Sequence, residues 1–286
     1  VSRTSDSIAE EAVVTTTAAP QTIVLVHGLW MTPLSWEKWI ERYEGRGHRV
    51  LAPAWPGFDR DIEEIRRDPK PYEGLGVTEI ASHYDAIIRG LDAPPIIMGH
   101  SFGGLITQLL LDRGLGAAGV AIDSAPIKGI LGLPYSSFKV ASVALRNPAN
   151  RKTAQELTHD QFRYAFGNQM SAAESEAARR RYAVPGPGRP LFQAGLANFT
   201  PNAATKVDVA NNDRAPLLLI AGEKDHVVPA KTTRANFKLY RKSTAVTEYK
   251  EFPGRAHFLV GEDGWEEVAD YALDWATAHA TVPAAA

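Results

Sequence analysis

The sequence predicts an α/β protein: a mostly parallel, doubly wound sheet with a helical segment inserted between two core strands. Three observations carry this. Short apolar runs each end in a turn, amphipathic segments alternate with them, and one long stretch breaks the alternation.

The apolar runs cover 22–26, 49–52, 95–98, 119–122 and 216–221. They are too short for helices and rich in Val, Ile and Leu, which suits strands buried on both faces of a sheet. Between them, 36–43, 77–91, 102–112, 230–241 and 265–279 carry apolar residues at helical spacing. Strand alternating with helix implies right-handed crossovers, a parallel sheet and helices on both of its faces. The segment 246–252 alternates strictly and is predicted as the last strand, at the sheet edge. A short strand is also expected near 13–16, within a tail spanning 1–20.

Between 127 and 213 no buried strand is evident. Helical pieces are predicted at 134–145, 160–168, 172–182 and 191–197, with Ser171 and Glu174 forming a capping box and Pro185-Gly186-Pro187-Gly188 a sharp break. The expected organisation is a core of 21–126 and 214–280 carrying a helical cap of 127–213. Such a cap would roof the C-terminal edge of the sheet, where open α/β sheets bind ligands.

Composition narrows the function classes. A hydrophobic share of 44% with 22% charged residues suits an ordinary globular protein of 286 residues. The net charge of −2, without a long run of like charges, removes the electrostatic footprint of a nucleic-acid binder. The densest basic cluster, Arg179-Arg180-Arg181, reads as a solvated helix face, and the acidic cluster from Asp59 to Glu64 as an exposed loop and helix start. With no cysteine, thiolate catalysis and zinc–thiolate sites are excluded. No His–carboxylate spacing matches a metal motif, so neither metal nor cofactor is expected. No stretch is long and apolar enough to span a bilayer, and the first twenty residues lack the pattern of a signal peptide. A cytoplasmic location is the expectation, with a removed leader left open.

The chemistry is carried by Gly99-His100-Ser101-Phe102-Gly103, a G-x-S-x-G turn between a strand and a helix. Such a turn is strained and lifts the serine hydroxyl clear of the backbone; its glycines are needed because Cβ atoms there would collide with neighbouring elements. A serine nucleophile needs a base, and the base needs an orienting carboxylate. Asp225 follows the strand at 216–221, and His257 follows the strand at 246–252, giving the chain order Ser, Asp, His. Glu223 competes with Asp225 but lies nearer the strand, and Asp123, just after 119–122, is held in reserve. Oxyanion donors are expected from the N–H of Phe102 and, in the loop after the first strand, from that of Leu29, with Trp30 the weaker alternative. His27 and His100 are expected to brace the backbone rather than react. Trp30, Met31, Leu133, Phe138 and Phe258 are candidate walls for a small apolar or aromatic substrate.

Together His27-Gly28-Leu29-Trp30, Gly99-His100-Ser101-Phe102-Gly103, Gly222-x-x-Asp225 with Val228-Pro229, and Gly254-x-x-His257-Phe258 resemble the α/β-hydrolase fold superfamily. Within it they are most similar to the capped carboxylesterase, lactonase and cofactor-free haloperoxidase-like branch. The resemblance spans 21–278, specific at the four motifs and vague across the cap. It implies a triad of Ser101, His257 and Asp225, an acyl-enzyme, an oxyanion held by Phe102 and Leu29, and a small ester-type substrate. Relatives that hydrolyse haloalkanes or epoxides carry Asp where this chain has Ser101, which argues against both. Amide, lactone and C–C bond hydrolysis, and peroxide-dependent acyl transfer, remain alternatives to ester hydrolysis. A binding protein on the same scaffold is disfavoured by the complete set of residues, and the oligomeric state is not readable.

Overall fold

The strand segments hydrogen-bond into one sheet in the computed structural model, which describes residues 21–132 and 134–281. Its strands are β1 (Thr22–Val26), β2 (Arg49–Leu51), β3 (Ile96–His100), β4 (Ala118–Ile122), β7 (Leu217–Gly222) and β8 (Thr247–Phe252), in the order β2-β1-β3-β4-β7-β8. Every pairing in it is parallel. β3, β4 and β7 are buried at every residue, as their unbroken apolar character requires. β8 sits at one edge with a mostly half-buried pattern, which is why it alternates. The strand expected near 13–16 lies outside the described residues.

Helices cover both faces. On one, α1 (Glu37–Glu44) lies beside α10 (Trp265–His279), joined where the Tyr43 hydroxyl donates to the Ala269 carbonyl at 2.7 Å. On the other are α3 (Val77–Arg89), α4 (Phe102–Asp112) and α9 (Ala230–Leu239). From Phe102 to Leu111 α4 is buried all round, so its polar residues must find partners inside. Gln108 does so through Ser124 at 2.7 Å and through Asn236 and Tyr240, both at 2.9 Å. The short α2 (Ile62–Arg67) is capped by Asp61, which places the acidic cluster at an exposed helix start.

The chain between β4 and β7 holds α5 (Tyr135–Leu145), α6 (His159–Ala165), α7 (Ala172–Tyr182) and α8 (Arg189–Gly195). Ser171 and Glu174 form the expected capping box. One expectation needs correction here. The segment also contains a two-residue antiparallel pair, β5 (Ala154–Gln155) with β6 (Gly186–Pro187), where the sequence suggested only a break. Gly186 is admitted because the strand lies against the loop after β1: a Cβ there would stand 2.9 Å from Trp30 Cδ1 and 3.0 Å from Leu29 Cδ1.

Candidate active site

Three loops at the C-terminal edge of the sheet meet over Ser101. The turn after β3 forces Ser101 to φ 57°, ψ −118°, a conformation that L-residues rarely adopt and that costs about 1–3 kcal/mol. Neighbours hold it there. Its N–H donates to Ile122 at 2.9 Å, and its carbonyl accepts from Ala125 at 2.9 Å and Gly104 at 3.0 Å. The glycines permit the packing: a Cβ on Gly99 would lie 2.1 Å from the Gly103 carbonyl oxygen, and one on Gly103 2.0 Å from that of Val26. The result is a serine hydroxyl aimed away from the sheet at the first turn of α4, where amide N–H groups have no partner within the helix.

β7 runs into the loop that carries Asp225. That loop meets the one after β8 so closely that a Cβ on Gly222 would stand 2.8 Å from the Arg255 carbonyl oxygen. Lys224 N–H donates to Arg255 at 2.8 Å, and Ala256 N–H donates to the buried carboxyl of Glu262 at 3.0 Å. These contacts set His257, which is fully buried. Its Nδ1 donates to Asp225 Oδ2 at 2.6 Å, and its Nε2 lies 3.0 Å from Ser101 Oγ. Asp225 Oδ1 is itself held by Val227 N–H at 2.6 Å and Val228 N–H at 2.9 Å. Glu223 instead faces outward, accepting from Gly254 N–H at 2.9 Å, and acts as a brace between the two loops.

A second carboxyl stands behind the first. Asp123, fully buried at the end of β4, accepts from Gly222 N–H at 2.8 Å, and its Oδ2 lies 3.9 Å from His257 Nδ1. Burial, and next the neighbouring carboxylate of Asp225, push its pKa well above the usual range. Asp225 accepts from three donors, the N–H groups of Val227 and Val228 and His257 Nδ1, where Asp123 accepts from Gly222 N–H. Asp123, His257 and His100 could together face a metal ion, but the two histidines are otherwise engaged. His257 bridges Asp225 and Ser101, and His100 Nε2 donates to the His257 carbonyl at 2.7 Å.

His27 and His100 sit where bracing residues should. His27 accepts from Trp55 N–H at 3.1 Å through Nε2, and its Nδ1 is 3.0 Å from the Gly28 carbonyl. Burial lowers its pKa to about 3, so it stays neutral in the loop that follows β1. In the same loop Gly28 brings the backbone against the nucleophile, since a Cβ there would stand 3.0 Å from Ser101 Cβ. Trp30 is held at φ 65°; its carbonyl accepts from Val184 N–H at 2.9 Å, and its indole N–H donates to the Gln155 carbonyl at 2.9 Å. The loop carrying Leu29 is thereby tied to the inserted segment.

Ser101 opens on an apolar cavity of about 70 Å³, walled by Trp30, Phe102, Ala125, Val140, Leu191 and Val228. Of the walls expected from sequence, Trp30 is present, and Leu133 lies outside the described residues. The others are corrected. Met31 is buried in the core, and Phe258 packs against Tyr182 with ring centroids 5.4 Å apart, beside a different cleft. Phe138 is 58% exposed, because Ser137, Val140 and Ala141 form the inward face of α5 and Phe138 lies one residue, about 100°, round from it. Sequence reasoning missed Phe166, whose ring meets that of His257 edge-on at 5.0 Å and shields it. No motif marks that residue; only the folding of the insertion brings it there.

The geometry of sheet and turn agrees with the comparisons. The description "Alpha/beta hydrolase family" matches residues 23–271, and the chain belongs to that family. Among solved structures, it is similar to the monoacylglycerol lipase of Paleococcus ferrophilus (22% identity, 92% of this chain and 97% of that one, TM-score 0.63). It is also similar to an extracellular alpha/beta-hydrolase from a Paenibacillus species (20% identity, 89% and 98%, TM-score 0.66). A third is a thermophilic esterase from Thermogutta terrifontis (16% identity, 92% of each chain, TM-score 0.64). At such identities the likeness is one of fold. The curated proteins include none that matches this sequence.

Proposed function

We propose that this chain hydrolyses carboxylic esters with an apolar acyl or alcohol part, using Ser101 as nucleophile, His257 as base and Asp225 as its orienting acid. The observation that carries the proposal is the unbroken relay from Ser101 Oγ to His257 (3.0 Å) and on to Asp225 (2.6 Å). As Ser101 Oγ attacks the ester carbonyl carbon, its proton passes to His257 Nε2, and the new positive charge faces Asp225. The oxyanion is received by the N–H groups of Phe102 and Leu29. When the C–O bond breaks, His257 returns the proton to the leaving alcohol. Water, activated by the same imidazole, then attacks the acyl-enzyme and releases the acid. The segment 127–213 serves as a cap: Trp30 ties it to the Leu29 loop, and Phe166 excludes water beside His257.

The test is hydrolysis of p-nitrophenyl esters by wild type and Ser101→Ala. Loss of roughly 10⁴-fold or more in kcat, with the fold retained by circular dichroism, is expected. Undiminished hydrolysis by Ser101→Ala would remove the proposal.

A further inference from the structure

The cavity over Ser101 is almost wholly apolar. Among the described residues that wall it, the side chains with a polar group are Ser101, Trp30 and Ser137. Two of these groups are engaged. The Ser101 hydroxyl faces His257 Nε2 at 3.0 Å, and the Trp30 indole N–H donates to the Gln155 carbonyl at 2.9 Å. Ser137 is 8% exposed, and its Oγ, shut off from solvent, has no hydrogen-bond partner among the described residues. Buried hydroxyls are seldom left so, because the unmade bond costs stability.

Its place on α5 explains why this hydroxyl is unused. Further along the same helix, Ser142 returns its hydroxyl to the Lys139 carbonyl at 2.7 Å, a common outcome for a helical serine. Ser137 stands in the first turn, where the carbonyl three residues back, that of Pro134, already accepts from Phe138 N–H at 3.0 Å. Pro134 also makes no side-chain cap to the first-turn N–H groups. The start of this 11-residue helix therefore brings partial positive charge beside an unpaired hydroxyl. Both favour an oxygen that accepts a hydrogen bond. The cavity is only about 70 Å³, so whatever part of an ester enters it lies close to its walls.

We propose that Ser137 Oγ donates a hydrogen bond to an acceptor oxygen of the substrate and so selects it: a small ester whose otherwise apolar part carries an ether or ketone oxygen. The inference rests on the proposed hydrolysis at Ser101 and names its substrate class. An all-carbon group in the same place leaves the hydroxyl unpaired, and a site built to pair an oxygen discriminates against the analogue that lacks it.

The experiment compares wild type, Ser137→Ala and Ser136→Ala on ester pairs in which an oxygen replaces a methylene. These are p-nitrophenyl methoxyacetate against butyrate, and methoxyethyl acetate against n-butyl acetate. The partners differ in intrinsic reactivity, so the quantity read is the change in their kcat/KM ratio from one protein to the next. In Ser137→Ala the ratio of oxygen-bearing to all-carbon ester falls about tenfold in one pair. In Ser136→Ala, on the same turn but outside the cavity wall, neither ratio moves. The pair that responds tells whether the acyl or the alcohol part meets Ser137, and either supports the proposal. Ratios unchanged in both pairs overturn it, as does an equal loss on every ester, which would mark Ser137 as merely structural. A hydroxyl kept for a ligand weakens the free protein, so the urea midpoint of Ser137→Ala lies above those of wild type and Ser136→Ala. A midpoint below wild type means that the hydroxyl is already paired in the fold and also overturns the proposal. If no ester is hydrolysed, the Ser101 reading fails, and calorimetry with methoxyacetate and butyrate decides for Ser137. About tenfold weaker binding of methoxyacetate alone in Ser137→Ala supports it, and equal binding in the two proteins counts against it.

Discussion

The loops after β1, β3, β7 and β8 and the helical segment between β4 and β7 build opposite sides of one site by different means. The loops are short, emerge from fully buried strand ends and fix one another through backbone hydrogen bonds, as between Lys224 and Arg255 or Ser101 and Ala125. The inserted segment rests on short helices and a two-residue strand pair, and reaches the site through side chains such as Val140, Leu191 and Phe166. The first side holds Ser101, His257 and Asp225 in one hydrogen-bonded chain. The other side shapes the space in front of them. Changes to the first should therefore act on turnover, and changes to the second on stability and choice of substrate.

The two buried carboxyls sharpen this most. Asp225→Asn leaves the loop bonds from Val227 and Val228 an acceptor but presents the wrong partner to His257, and kcat is expected to fall about 10⁴-fold. Asp123→Asn keeps a side-chain oxygen that accepts from Gly222 N–H, and turnover should stay within about threefold of wild type. Comparable losses in the two variants, measured by steady-state kinetics, would show that both carboxyls orient His257.

On the inserted side, Phe166→Ala removes a ring that stacks on Phe162 at 5.1 Å and covers His257. Stability should fall by about 3–5 kcal/mol in urea titration, with kcat reduced far less than in Asp225→Asn. A collapse of kcat at preserved stability would place Phe166 on the reacting side of the comparison.

The last contrast concerns the loop after β1. His27 has its pKa lowered from 6.5 to about 3 by burial, so as pH falls the unfolded chain takes up that proton first. Its contribution to stability is present above pH 6.5 and is lost as pH falls from there towards 3. Relative to His27→Gln, wild type should lose roughly 1.4 kcal/mol of additional stability per pH unit in that window. Parallel curves for the two proteins would mean His27 is protonated or solvated in the fold.

The contrast between the two sides also governs how much could be read from the chain. Strand ends and their turns are dictated by local chemistry. Gly99 and Gly103 are required where backbone passes at contact distance, and Asp225 and His257 follow unmistakable buried strands, so their convergence was legible. The insertion was legible as helices but not as a surface. On α5 a one-residue offset separates the inward Ser137 from the outward Phe138, and the apolar content of the sequence does not say which faces Ser101. Phe258 and Met31 are apolar and next to key motifs, yet they are used for packing. Phe166 reaches His257 through a contact between segments remote in sequence, which no local pattern encodes.

The central claim is that the strained serine after β3 is the acylated residue. The most direct measurement is treatment of the intact protein with a fluorophosphonate, followed by mass spectrometry of the modified peptide. A single stoichiometric adduct on Ser101, abolished in His257→Ala, is the predicted result. An adduct elsewhere, or none on a protein that still hydrolyses esters, would contradict the account.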